Sequence, residues 1–185
     1  MERLANTEER YGIVAIALHW AMAVLLLVLI GLGLYMVQLP DVGYDTEKIT
    51  LILVHKALGM AAMAAAVLRL AWRLGNAMPR LVEGLPEWQQ VLARFVHLVF
   101  YALLFALPLT GWLMSSAGGY PVPIFNWFSM PDLIGVNEWL FQVTIAVHRW
   151  LAYALIALLA LHAGAALHHH LRLRDDTLRR ILPGR

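Results

Sequence analysis

LFQVTIAVHRWLAYALIALLALHAGAALHHHL, residues 140–171, decides how the rest of the chain is read. Trp150 to Leu171 carries no charged side chain, and His148 and His162 stand 14 residues apart within the stretch. An apolar run of about 20 residues is what a helix needs to cross about 30 Å of hydrocarbon. Working outward, Tyr11 to Pro40 and Phe95 to Pro131 are also uncharged, and Ile49 to Leu68 contains only Lys56. Four spans are therefore expected, at residues 12–37, 49–72, 92–116 and 140–171. Helices are the expected form because lipid offers no partner to an unpaired backbone group.

Composition agrees. Apolar residues make up 61% of the chain and charged residues only 14%, against about 25% charged in a soluble domain. Four spans in 185 residues leave little for a soluble unit. The expectation is an all-α integral membrane four-helix bundle, one domain over residues 1–185 with short connections. The first apolar run is too long for a signal-peptide core and follows Glu8 and Glu9, so it is read as retained.

Lysine and arginine set the orientation. Arg3, Arg10, Arg69, Arg73, Arg80, Arg94, Arg172, Arg174, Arg179, Arg180 and Arg185 fall on one side of a four-span chain. Only Lys48, Lys56 and Arg149 fall opposite. Positive-inside bias then puts both termini in the cytoplasm. This flank accounts for the net charge of +2, so no nucleic acid is invoked. The absence of cysteine excludes covalent c-type haem and cysteine-ligated iron–sulfur clusters.

Five histidines lie in the spans: His19, His55, His97, His148 and His162. One intramembrane histidine is readily a helix-packing hydrogen bonder, but five in one small bundle point to function. Fourteen residues of helix separate His148 and His162 by about 21 Å, with directions within about 40° of each other. Two ligands, one near each surface, then face one bundle interior, which suits two stacked haems with two axial ligands each. Depth pairs His55 with His148 at the outer level and His19 with His162 at the inner level.

The same interval recurs elsewhere. His55 to Arg69 is 14 residues, which puts Arg69 at the inner level as a candidate propionate partner; a cytoplasmic-end anchor is the plainer reading. His19 to Gly33 and His97 to Gly111 are also 14 residues, placing glycines where backbone could approach a flat macrocycle. His97 could replace His19 as inner ligand, and spacing does not exclude it. His19 is preferred because it lies deeper in its span and precedes Trp20. His97 then becomes a propionate or quinone partner, or a simple interhelical bond.

Arg10-Tyr11, Leu18-His19-Trp20, Val54-His55-Lys56-Ala57-Leu58-Gly59 and Leu68-Arg69-Leu70-Ala71-Trp72-Arg73 occur in that order. They are followed by His97-Leu98-Val99-Phe100-Tyr101, Ala106-Leu107-Pro108-Leu109-Thr110-Gly111-Trp112, His148-Arg149, Leu161-His162-Ala163 and Asp176-Thr177-Leu178-Arg179-Arg180-Ile181-Leu182-Pro183. This set, covering essentially the whole chain, resembles the bacterial cytochrome b561 family of four-helix di-haem proteins. The resemblance implies two non-covalent haem b groups, with His19, His55, His148 and His162 as the iron ligands. It also implies a superoxide oxidase, oxidising superoxide at the periplasmic face and reducing ubiquinone in the membrane. Related subunits instead link quinone to a dehydrogenase or hydrogenase partner.

Lys48, Lys56 and Arg149 would cluster at the outer haem, where they could steer superoxide, pair with propionates or contact headgroups. The apolar segment from Ser115 to Glu138 is expected to lie over that haem and restrict solvent. On the inner side His168, His169 and His170 follow His162. The family-like tail continues beyond them, which argues against an affinity tag. His169 is two turns past His162 and suits a quinone hydrogen bond and proton supply, with His168 its nearest competitor. Electrons would enter outside, cross to the inner level and reduce quinone near His169. A stand-alone oxidoreductase, a docked electron-transfer subunit and a cofactor-free structural bundle are the functions to separate.

Overall fold

The computed structural model describes residues 4–40, 45–80, 86–125 and 127–182. Arg3, Pro183 and Arg185, used above for orientation and for the family-like tail, lie outside them. Helix α1 runs Ile13–Met36, α2 Thr46–Gly75, α3 Glu87–Ala117 and α4 Glu138–His168. A π-helical turn, His169–Leu173, extends α4, and a 3-10 turn, Arg179–Ile181, follows in the tail. All four helices are long and apolar enough to cross a membrane. The molecule is an all-α membrane four-helix bundle.

Local chemistry sets the ends. Asp45 caps α2 by accepting from the backbone N–H of Glu47 at 2.9 Å and Lys48 at 3.3 Å. Asn137 caps α4 through Leu140 N–H at 2.9 Å. Each satisfies donors that the first helical turn leaves open. Pro108 sits inside α3 and supplies no N–H, so one rung of that helix is missing.

Few side chains are buried. Met22, Leu26, Ala66, Leu103, Leu104 and Leu155 form a core midway along the bundle. Leu27, Val67, Leu98 and Leu161 are exposed, at 52–71%, as apolar residues facing lipid would be. Helix α1 packs on α2, α2 on α3 and α3 on α4. Neither α1 nor α2 is among the close backbone neighbours of α4.

Between α3 and α4 the chain forms a small antiparallel hairpin, β1 (Val122–Ile124) and β2 (Phe128–Met130), which periodicity did not foretell. The Trp112 indole donates to the Pro131 carbonyl at 2.9 Å, and Leu133 N–H donates to the Ser116 hydroxyl at 3.1 Å. These bonds fold the segment back onto the end of α3, and β1 packs against α2. At the opposite end the tail returns to α1, where Trp20 Nε1 donates to the Ile181 carbonyl at 2.8 Å.

Candidate functional site

His55 on α2 and His148 on α4 face each other with ring centroids 6.4 Å apart. His19 on α1 and His162 on α4 do the same, also at 6.4 Å. Two imidazoles bound to one metal ion from opposite sides, with bonds of about 2 Å, hold their centroids about 6.3 Å apart. Both pairs bridge helices with few close backbone contacts, and the His55–His148 pair lines a cavity.

The outer cavity measures about 580 Å³, within the range of about 300–1,000 Å³ usual for ligand pockets. His55 and His148 line it together with Gly33, Gly111, Pro108, Lys56 and Arg149. A Cβ on Gly33 would lie 3.4 Å from His55 Cε1, and one on Gly111 would lie 3.4 Å from His148 Cε1. Each glycine therefore backs one imidazole, and a Cβ there would already touch the ring.

Thr110 holds His148 more specifically. Its hydroxyl donates to the Leu107 carbonyl at 2.9 Å, and its oxygen lies 3.1 Å from His148 Nδ1. A hydroxyl has one proton, so the oxygen accepts from Nδ1–H. The proton is thereby placed on Nδ1 and the Nε2 lone pair is left for a metal.

The three outer cations separate. Lys56 and Arg149 line the cavity. The Lys56 ammonium also donates to the Pro121 carbonyl at 3.0 Å and lies 5.7 Å from the Tyr120 ring centroid. Lys48 donates to the Leu39 carbonyl at 2.9 Å and lies outside the lining. Buried Val122 of the hairpin lines the cavity, so the α3–α4 segment contributes one residue to its wall.

The inner level is more crowded. His97 faces His162 with centroids 5.9 Å apart, so His162 has an imidazole on α1 and another on α3. Arg69 reaches this level, but its partner is His19: Nη2 donates to Nδ1 at 3.0 Å. A guanidinium only donates, which leaves the His19 proton on Nε2. Metal binding through Nε2 requires Arg69 to release Nδ1 and find another acceptor, which an anionic propionate would supply. The Trp72 indole N–H, one turn from Arg69, is buried without a hydrogen-bond partner and is a second donor available there.

His168, His169 and His170 differ sharply. His168 is exposed. His169 Nδ1 lies 2.5 Å from Asp175 Oδ2, with both side chains less than a fifth exposed. The second Asp175 oxygen accepts from Thr177 N–H at 2.9 Å. Burial raises the Asp175 pKa, but the hydrogen bonds from His169 and Thr177 outweigh it and hold the carboxyl below its ordinary range. Nδ1 of His170 is buried and unpartnered.

The model of the family described as prokaryotic cytochrome b561 matches residues 10–184. The chain belongs to the prokaryotic cytochrome b561 family. It is 36% identical to cytochrome b561 homolog 2 of Escherichia coli (strain K12) over 177 residues, covering 96% of this chain and 93% of that protein. It is 30% identical to the probable superoxide oxidase CybB of Yersinia pestis over 175 residues, 95% of this chain and 97% of that one. Cytochrome b561 homolog 1 of E. coli matches at 32% over 107 residues, 58% of this chain and 60% of that one.

A member of the cytochrome b561 family is a membrane electron-transfer protein with b-type haem, and the residues present fit that group. Among the described residues no three His, Asp or Glu side chains converge to hold a bare metal ion. Haem iron takes four ligands from the macrocycle and needs only two from protein, which each facing pair can provide. Thr110, Trp72 and Asp175 stand out only in the structure. The sequence placed Trp72 and Thr110 inside family-like motifs, but their contacts depend on how the helices face one another. Asp175 is brought to His169 by a turn that no periodicity marks.

Proposed function

We propose that this cytochrome b561 oxidises superoxide at its outer face and reduces ubiquinone near its inner face. Two non-covalent b-type haems, one between His55 and His148 and one between His19 and His162, would supply one-electron carriage across the bundle. The observation that carries the donor side is the placement of Lys56 and Arg149 in the wall of the cavity beside His55 and His148. A cationic mouth raises the encounter rate of a small anion, and apolar walls focus its field. The relative named as a probable superoxide oxidase, matched along nearly its whole length, supports the same reading.

On the inner side His169 is the residue proposed to meet quinone, lying about 10 Å along α4 from His162. Its imidazole can bind a quinone oxygen and give it a proton. His97 and Arg69 then position the inner group, with Arg69 exchanging His19 for a propionate. Lys48 braces the end of α1 rather than facing the donor. Both termini are assigned to the cytoplasm of a bacterial inner membrane by the positive-inside bias.

The test is the purified protein alone, supplied with superoxide and a short-chain ubiquinone. Superoxide-dependent quinone reduction without a partner is expected. Reversing both cavity cations, Lys56→Glu with Arg149→Glu, should slow superoxide-driven reduction by about tenfold at low salt, with the difference shrinking as salt rises. Inactivity until a dehydrogenase or hydrogenase subunit is added would favour the docked-subunit reading. An unchanged rate in the charge-reversed protein would remove the steering argument.

A further inference from the structure

The geometry points to Asp175 as the positioning residue that fixes the His169 imidazole for proton delivery to quinone. This rests on the quinone reading of His169 and adds a second residue to it. The local backbone is built to bring the two together. Helix α4 widens into the π-turn His169–Leu173, and Arg174 adopts the left-handed conformation, φ 55° and ψ 31°. The chain then doubles back, and Asp175 N–H donates to the His169 carbonyl at 3.3 Å. A non-glycine residue in that region is uncommon, and here it stands at the reversal that sets a carboxylate beside an imidazole.

An ionised carboxylate accepts only, so Asp175 Oδ2 takes the Nδ1–H of His169 and leaves Nε2 as the ring's free nitrogen. Thr177 N–H holds the other carboxylate oxygen, which stops the carboxylate from rotating away. The pair therefore has a fixed direction, with carboxylate behind and Nε2 ahead. His168 is exposed and its ring stands edge-on to that of His169, centroids 6.3 Å apart, without reaching the carboxylate.

Reduction of a quinone to quinol takes two electrons and two protons. Oxidation of two superoxide ions to dioxygen supplies the electrons one at a time. Nε2–H of protonated His169 gives one proton to the nearer quinone oxygen as its O–H bond forms, and water gives the other oxygen its proton. The neutral ring keeps Nδ1–H on Asp175 and regains its Nε2 proton from cytoplasmic water. Asp175 touches neither substrate nor haem; it acts through His169.

The experiment compares haem-loaded wild type, Asp175→Asn, Asp175→Glu and His169→Gln, with superoxide as donor and a short-chain ubiquinone as acceptor. Haem content and the dithionite-reduced spectrum are recorded for each. Asp175→Asn should keep both and leave the quinone KM within about twofold, yet lose at least about tenfold in kcat. Its solvent deuterium isotope effect should rise, and Asp175→Glu should recover part of the rate. Wild-type kcat in Asp175→Asn, alongside an impaired His169→Gln, would overturn the proposal. So would loss of haem from Asp175→Asn, which would make the contact structural. Full activity in His169→Gln would instead sink the quinone reading beneath it.

Discussion

Thr110 shows how one hydroxyl would tune a redox centre from outside the proposed ligand set. By accepting from His148 Nδ1–H it would make the imidazole a stronger electron donor to bound iron, which favours the ferric state. Thr110→Val keeps the shape and removes the hydroxyl acceptor, leaving the Leu107 carbonyl beside the ring. A bond of about 1 kcal/mol lost from the ferric state should raise the outer haem potential by about 40 mV. Potentiometric titration should show that shift in one haem with the other unmoved. Gly111 carries a steric prediction at the same ring. Gly111→Ala adds one methyl at 3.4 Å from His148 Cε1 and should leave haem content unchanged. Gly111→Leu should lower outer-haem occupancy at least twofold in the pyridine haemochrome assay, because a long side chain cannot coexist with the ring. The 14-residue glycine interval was visible in the sequence; its meaning, one glycine behind each outer imidazole, needed the helices in place. Arg69 was placed at the correct depth, but its partner was missed because the sequence gives depth and not rotamer.

At the scale of elements, the tail is the segment that the sequence described least well. Its residues were read as family-like, yet the π-turn, the left-handed Arg174 and the return to Trp20 have no periodic signal. Three segments meet at that end: Arg180 donates to the Arg80 carbonyl at 2.6 Å, and Arg80 in turn pairs with Glu8. The spans were legible because each is a long apolar run. Their ends were less so, since α2 starts at Thr46 and α3 at Glu87, where charged side chains mask the first helical turns. The Asp175 carboxyl, held below its ordinary range, gives this end a pH dependence. A group whose folded pKa is lowered contributes stability above about pH 4, and that contribution is lost as pH falls through the lowered value. Amides of residues 175–182 should therefore lose protection from hydrogen exchange as pH is lowered from about 6 to about 3, after correction for intrinsic rates. Asp175→Asn should show the weaker protection at both values; an identical pH response in that variant would place the sensitivity elsewhere.

At the scale of the molecule, the four helices pack as a series, α1 on α2 on α3 on α4, and the histidine pairs reach α4 from α1 and α2. The cavity beside His55 and His148 is where a flat cofactor can enter. Leu26, Leu103, Leu104 and Leu155 of the midway core also line the outer cavity. The all-α membrane bundle was readable from charge segregation alone, and the two levels from the His148–His162 interval. The inner ligand was not, because His19 and His97 both face His162. The central claim is two haems with named ligands, and haem-to-protein ratio measured together with reduced-minus-oxidised spectra tests it most directly. Wild type should hold two b-type haems per chain. His55→Ala and His148→Ala should each lose the same one, His19→Ala and His162→Ala the other, and His97→Ala neither. One haem per chain, or loss of the inner haem from His97→Ala but not from His19→Ala, would contradict the account.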